Sequence, residues 1–171
     1  AFYVNVVRNT PLTLIIVFCN IGFIVNLGMS FTDNIARNNI IWAIIGLSFY
    51  HAAFVCEALR SGVNTVPAGQ AEAARSIGLT FGQSLTEVLL PQAFRGAITP
   101  LGNTLIALTK NTTVATAIGV AEISGLMKEM MEFRPDVIVV IFLIVALGFV
   151  ILTLPIGLVT THLSSKLAVK R

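Results

Sequence analysis

Hydrophobic residues along this chain form long stretches that are separated by short polar segments. Leu12–Met29 gives eighteen uncharged residues, and Val137–Val159 gives twenty-three. Ile40–Leu59 is a third apolar stretch, interrupted only by His51 and Glu57. A membrane-spanning helix needs about 20 mostly apolar residues. The pattern therefore predicts an all-α membrane protein with at least three spans.

A fourth stretch, Gly96–Thr109, is uncharged but short, and it contains Pro100 and Asn103. It can cross a membrane only if its helix extends back towards Ser84. Polar groups inside a membrane need partners on neighbouring helices. We therefore expect this helix to lie inside the bundle and to be suited to lining a pathway, which gives four spans in total.

Composition agrees with the membrane prediction, because 56% of the residues are hydrophobic and only 11% are charged. Soluble domains average about 25% charged residues. The formal net charge of +3 does not indicate nucleic acid, since the cations are scattered singly without a basic run. No Cys, His and carboxylate residues have metal-ligand spacing, so no metal site is predicted.

The distribution of cations predicts the orientation, because Lys and Arg favour the cytoplasmic side. If residues 62–95 are cytoplasmic, both ends of the given sequence, residues 1 and 171, are cytoplasmic too. The inner side then holds Arg8, Arg60, Arg75, Arg95, Lys166, Lys170 and Arg171, and the outer side holds Arg37, Lys128 and Arg134. Thr113–Met127 is too short to cross and is predicted as an interfacial or re-entrant helix outside.

A soluble-looking segment, Gly69–Pro91, lies between the apolar stretch Ile40–Leu59 and the uncharged stretch Gly96–Thr109. Pro67 suits the first turn of a helix, and Gly78 suits its left-handed C-terminal end. We expect a helix of about eleven residues there, with an i, i+3 pair of Glu72 and Arg75. The pattern fits either an interfacial amphipathic helix or a small projection that docks on a cytoplasmic partner.

The spacing within this segment favours docking. It reads Glu72-Ala73-Ala74, three residues, Gly78, nine residues, Val88, one residue and Leu90-Pro91. This resembles the signature loop of ABC importer permeases, in which Ile is commoner than Val at position 88.

Three further segments are similar to the polar amino-acid permeases within that family: "RNTPLTL" (8–14), "EALRSGVNTVPAGQAEAARSIGL" (57–79) and "LPQAFRGAITPLGNTLIALTKNT" (90–112). Asn9 replaces the commoner Gly, and Thr112–Thr113 departs from the commoner "TSL". The combination of "VRNTPLTL" (7–14) and "LTKNTTVATAIGV" (108–120) looks most like glutamate-uptake permeases of high-GC Gram-positive bacteria. Relatives usually carry one more span before "RNTP", so an N-terminal truncation is expected.

The resemblance implies a type I ABC importer bundle, with residues 1–171 as one permease domain and 62–95 as its cytoplasmic coupling loop. It implies a multi-pass protein of a bacterial plasma membrane that works with ABC ATPase subunits, a second permease and an extracytoplasmic substrate-binding protein. The residues implied in ATPase coupling are Gly69, Glu72, Ala73, Ala74, Gly78, Leu90 and Pro91.

The chain itself is not predicted to be an enzyme. It has no GxxxxGK[ST] loop, since no lysine follows a glycine. ATP and Mg²⁺ would therefore bind the partner ATPase, and no cofactor is expected on this chain.

Polar residues near the spans are candidates for a substrate pathway: Glu57, Asn103, Thr109 and Lys110. Glu57 could equally form a structural ion pair with Arg60. Asn103 and Thr109 could instead make helix-to-helix hydrogen bonds, and Lys110 could be a snorkelling lysine.

Two other functions, ion-coupled transport and membrane-bound catalysis, require different residues in the sequence. An ion-coupled secondary transporter or channel subunit needs intramembrane carboxylates or inverted repeats, and Glu57 is the only candidate. A membrane enzyme needs a nucleophile, base or metal constellation, which the sequence does not show. Co-purification with an ATPase would separate the importer from both.

Overall fold

The computed structural model of the protein describes residues 2–167, and these residues are almost entirely helical. The α-helices are α1 (Phe2–Arg8), α2 (Leu12–Phe18), α3 (Ile35–Asn64), α4 (Ala68–Ser76), α5 (Phe81–Gln83), α6 (Leu90–Asn111), α7 (Ile123–Phe133) and α8 (Ile138–Leu167). Two π-helical segments extend neighbouring α-helices, and two 3₁₀-helices flank α7: Cys19–Asn26, Ser84–Leu89, Thr112–Ile118 and Pro135–Val137. No strand occurs within residues 2–167, so the prediction of an all-α protein is confirmed.

The chain divides into two compact units. One comprises the described residues within Ala1–Ala53 and Ala107–Leu154, and the other those within Phe54–Ile106 and Pro155–Arg171. The prediction of a single permease domain stays a prediction.

The first unit has a small apolar core where α2, α3 and the 3₁₀-helix Thr112–Ile118 meet. Its buried members are Leu12, Ile16, Ala43, Leu47, Ala115 and Ile118. Gly46 lets α2 approach α3, because a Cβ atom there would lie 2.8 Å from Ile16 Cδ1. Asn39 Nδ2 donates to the carbonyl of Ile118 at 2.8 Å and fixes the 3₁₀-helix against α3.

A sharp bend precedes the first predicted span, Leu12–Met29, of which Leu12–Asn26 is continuous helix. Helix α1 meets Leu12–Asn26 at an angle of 100°. Pro11 accounts for the break, because it has an extended ψ of 133° and no N–H to continue a helix. Leu12–Asn26 reaches at most about 22 Å, which is less than the roughly 30 Å of bilayer hydrocarbon. Helix α1 lies almost perpendicular to this segment and adds little length along its axis, so the first span stays a prediction.

Two other helical segments, Ile35–Asn64 and Pro135–Leu167, are long and apolar enough to cross a membrane. The prediction that the fourth helix extends back towards Ser84 is confirmed, since continuous helix begins at Phe81 and runs through the π-helical segment into α6. The 22 residues of α6 provide the length, about 33 Å. Among the described helices, however, α6 is not one of those that are apolar enough, so its span stays a prediction.

In the second unit, α3 and α6 touch without intervening side chains. A Cβ atom on Gly62 would lie 2.7 Å from Ala97 Cβ and would also meet the carbonyl oxygen of Ala93. A Cβ atom on Gly96 would meet Thr65 Oγ1 and would lie 3.1 Å from the Gly62 carbonyl oxygen. Helices in membranes pack through such small residues because apolar burial does not draw them together there.

We predict that Gly62→Val destabilises the protein, because its side chain has no space between α3 and α6. Overpacking of this kind typically costs about 1–3 kcal/mol. The melting temperature in detergent should fall by about 2–4 °C for each kcal/mol. Gly148→Val is the matched control, since a Cβ atom at that helical glycine meets nothing within 4 Å. Equal melting temperatures for the two variants would contradict the close contact.

Candidate functional site

Helix α4 is the central element of the segment that resembles the permease signature loop. It comprises nine residues, Ala68–Ser76, rather than the eleven expected. Pro67 lies at the N-cap with an extended ψ of 138°, not within the first turn. The helix is shorter at its other end because Ile77 already departs from helical geometry, with ψ at 10°.

The end of α4 is fixed by backbone hydrogen bonds around Gly78. The Gly78 N–H donates to the Arg75 carbonyl at 3.0 Å, and the Leu79 N–H donates to the Ala74 carbonyl at 3.2 Å. These two bonds form a Schellman motif, which needs a left-handed residue at Gly78. Its φ of +84° confirms the prediction of a left-handed glycine stop.

A second cap begins the next helix only two residues later. The Thr80 side chain accepts from the Gln83 N–H, while the Gln83 side chain accepts from the Thr80 N–H, so the two residues form a capping box. The direction change between α4 and the following helix is therefore held by backbone-directed hydrogen bonds.

One face of α4 packs against its own unit. Ala74 is buried, and Ala71 is half-buried. Gln92 Nε2 on α6 donates to Gln70 Oε1 on α4 at 3.3 Å. A cavity of about 200 Å³ lies beside this face, and its lining is apolar: Val63, Val66, Pro67, Ala68, Ala71, Leu85, Leu89, Leu90 and Ala93.

The opposite face of α4 is exposed and carries little bulk. Gly69, Glu72 and Ala73 lie one helical turn apart and are all exposed. The Arg75 Nε atom donates to the Ala71 carbonyl at 3.3 Å. Within residues 2–167, Arg75 does not form the predicted ion pair with Glu72. The Glu72 carboxylate is thus presented on a thin helix surface that another backbone can approach closely.

The seven predicted coupling residues therefore occupy different places. Gly69, Glu72 and Ala73 form the exposed face, and Gly78 closes the helix. Ala74 and Leu90 contribute to internal packing. Pro91 is exposed and lies directly after the π-helical segment Ser84–Leu89, within the continuous helix that begins at Phe81. The sequence motif thus combines a presented surface with the contacts that position it.

The predicted pathway residues belong to both units. Glu57 forms an ion pair with Arg60, with 3.4 Å between Oε2 and Nη1, and belongs to the second unit with Asn103. Thr109 and Lys110 belong to the first unit. Asn103 and Lys110 are exposed, whereas Thr109 is half-buried. The ion pair between Glu57 and Arg60 is thus observed, and a role of Glu57 in the pathway stays a prediction.

A buried polar contact joins α3 to the end of α6. His51 is buried, and its Nδ1 lies 3.0 Å from the Leu47 carbonyl oxygen. Asn111 Nδ2 lies 3.3 Å from His51 Nε2. If Nδ1 carries the proton, Nε2 is left to accept from Asn111. This agrees with the structural interpretation of His51, although the sequence did not reveal its partner.

Glu122 is a structural residue that sequence reasoning missed. Its carboxylate caps α7 by accepting from the N–H groups of Ser124 at 2.9 Å and Gly125 at 2.8 Å, and from the hydroxyls of Thr116 and Ser124. Partial burial raises the pKa of Glu122, but these hydrogen bonds more than offset it, so the pKa lies below its usual value. Because Glu is not one of the residues that commonly cap a helix N-terminus, the sequence carries no clear signal for this cap.

The sequence matches one protein family over residues 1–169, that of the "Binding-protein-dependent transport system inner membrane component". The chain belongs to this family. Its members are the membrane permease subunits of ABC importers, and the resemblance inferred from the signature-loop segment is thereby confirmed. This assignment favours the ATP-driven importer over the ion-coupled alternative.

Curated relatives agree with the family. The chain is 53% identical to the glutamate transport system permease protein GluC of Corynebacterium glutamicum over 99% of this chain and 76% of that protein. It is 53% identical to GluC of Corynebacterium efficiens with the same coverage. It is 34% identical to the probable glutamine ABC transporter permease protein GlnM of Bacillus subtilis, over 96% of this chain and 73% of that protein.

Two solved structures share the fold. A crystal structure of "an amino acid ABC transporter with histidines" superposes with a TM-score of 0.82 at 25% identity, over 96% of this chain and 73% of that one. The inward-facing MetNI methionine ABC transporter superposes with a TM-score of 0.74 at 23% identity, over 97% and 73%. The predicted class, an ABC importer transmembrane bundle, is confirmed.

Proposed function

We propose that this permease subunit serves an ATP-driven importer of glutamate or a related polar amino acid. The observation that carries the proposal is the 53% identity to two glutamate transport permeases over nearly the whole chain. The family membership supplies the transport function, and these relatives supply the substrate class.

Helix α4 is the proposed coupling helix, which docks in a groove of an ABC ATPase subunit. Its exposed face of Gly69, Glu72 and Ala73 supports this role, since a helix with little side-chain bulk can approach another backbone closely. The ATPase would bind ATP and Mg²⁺, and its closure would move α4. The Gln70–Gln92 hydrogen bond and the packing of Ala74 would pass that movement to α6.

A complete pathway would require a second permease, either identical or paralogous, since this chain provides few spans. An extracytoplasmic binding protein would deliver the substrate. Glu57, Asn103, Thr109 and Lys110 remain the candidate pathway residues, and the exposed Asn103 and Lys110 are the two that a ligand could reach most directly.

The proposed orientation places residues 62–95 and both ends of this segment in the cytoplasm, on the basis of the cation bias. Single cysteines at Gln70 and Gln83 should resist an impermeant maleimide added to intact cells and should react after the cells are opened. Both positions are exposed, so burial does not explain protection. Labelling in intact cells would invert the proposed topology.

We predict that Gly78→Val uncouples transport from ATP hydrolysis without unfolding the permease. Gly78 has a φ of +84°, which a β-branched residue resists at a cost of about 1–2 kcal/mol. A Cβ atom there would meet nothing within 4 Å, so strain is the only direct effect. Membrane abundance should stay near normal, while ATPase co-purification and substrate uptake decrease strongly.

Gly78→Asn is the matched control, since Asn tolerates the left-handed conformation better than Val. It should retain most of the uptake. A second variant, Ala73→Leu, adds bulk to the exposed face of α4 without backbone strain and should also weaken ATPase association. If Gly78→Val is present at normal abundance and its substrate uptake is undiminished, the proposal that coupling depends on the turn at Gly78 is wrong.

The substrate is tested by competition. Uptake of labelled glutamate by the reconstituted importer should be reduced by excess unlabelled glutamate more than by glutamine, arginine or histidine. If arginine or histidine competes best and glutamate does not compete, the substrate assignment is wrong while the importer function stands. If ATP is not required for uptake, the proposed function itself is wrong.

A further inference from the structure

The first unit contains a large cavity apart from the coupling helix and the candidate pathway residues. Its volume is about 680 Å³, which is within the range of about 300–1,000 Å³ typical of small-molecule sites. It is formed by the start of α2, the 3₁₀-helix Thr112–Ile118, α7 and α8.

One wall of this cavity is hydrocarbon. Helix α8 contributes Phe142, Val145, Ala146 and Phe149 to it. The residues around them on α8, such as Leu143 and Leu147, are large, apolar and exposed. A helix with such a surface faces lipid or another apolar helix, so this wall continues into a surface that is suited to acyl chains.

The opposite side mixes the apolar residues Val114, Ala117 and Met127 with polar residues, which are called the polar wall here: Thr113, Thr116, Ser124 and Lys128. Lys128 on α7 provides an exposed ammonium group. The hydroxyls of Thr116 and Ser124 both donate to the Glu122 carboxylate, and Thr113 donates to the Lys110 carbonyl at 2.9 Å. These hydroxyl hydrogens are occupied, so the oxygens offer only lone pairs to a ligand in the cavity.

The polar wall thus combines a cation at Lys128 with hydrogen-bond acceptors that are backed by the negative charge of Glu122. Its complement is a group that carries an acid and an N–H donor a few ångströms apart. A free amino acid has this chemistry, and so does a phosphoethanolamine head group. The apolar wall of α8 favours the lipid, because a free polar amino acid would leave that wall without a partner.

We propose that this cavity binds a phospholipid with an ethanolamine head group, with its phosphate at Lys128, its ammonium at the hydroxyl oxygens and an acyl chain along α8. An ammonium group and a phosphate can form a charge-assisted hydrogen bond, which is stronger than one between neutral groups. The site would hold α7 against α8 through the lipid.

Native mass spectrometry of the purified permease tests the proposal. Phosphatidylethanolamine, phosphatidylcholine and phosphatidylglycerol with the same acyl chains are added in turn. Phosphatidylcholine keeps the phosphate and both charges but has no N–H to donate. We expect phosphatidylethanolamine to be retained about tenfold more strongly, which is the effect of one hydrogen bond to a charged group.

Two variants assign the contacts. Lys128→Gln should reduce the retention of all three lipids about tenfold, because each presents a phosphate. Thr113→Val should reduce only the preference for phosphatidylethanolamine over phosphatidylcholine. Lys166→Gln is the matched control, since Lys166 is an exposed lysine that does not line the cavity.

Equal retention of the three lipids by the unmodified protein would indicate an unspecific lipid annulus and would overturn the proposal. So would a preference that Lys128→Gln leaves unchanged. Calorimetry with free glutamate is the remaining arm. Binding of glutamate that depends on Lys128, without a lipid preference, would make the cavity an amino-acid site and would exclude the lipid.

Discussion

The contact of α3 with α6 through Gly62 and Gly96 is the constraint on which the candidate coupling region depends. Two helix backbones that approach this closely are held by dispersion contacts and polar bonds that act at short range. Small residues make that range accessible here. The chain that leaves α3 at Asn64 and returns through Leu90 is consequently held at both ends by a close-packed pair.

Because of this contact, some residues of the segment Gly69–Pro91 serve internal packing and others form an exposed surface. Ala74 and Leu90 must be small or apolar because they fill the space beside the packed helices. Gly69, Glu72 and Ala73 are free of that demand. A surface used for docking can therefore change its partner contacts without changing the internal packing, and the helix keeps its position while it presents a thin face.

Local sequence signals predicted the elements well, because apolar length and capping chemistry are local properties. The apolar stretches near α3 and α8, the left-handed Gly78 and the extension of α6 towards Ser84 were predicted from them. The 100° bend at Pro11 was not predicted, because it lies before the apolar stretch Leu12–Met29 and apolar length says nothing about the direction of the preceding helix. Contacts between distant residues, such as His51 with Asn111, leave no periodic signal and needed the structure.

The two caps that meet between α4 and α5 have a mechanical consequence. A Schellman turn ends one helix at Gly78, and a capping box opens the next at Thr80, so only a few backbone torsions between them lack a hydrogen-bonded restraint. Such a joint has low compliance. A displacement of α4 would therefore move the following helix instead of bending the connection between them. If α4 couples to an ATPase as proposed, the stiffness of the Gly78–Thr80 connection would determine how much of that displacement reaches the membrane.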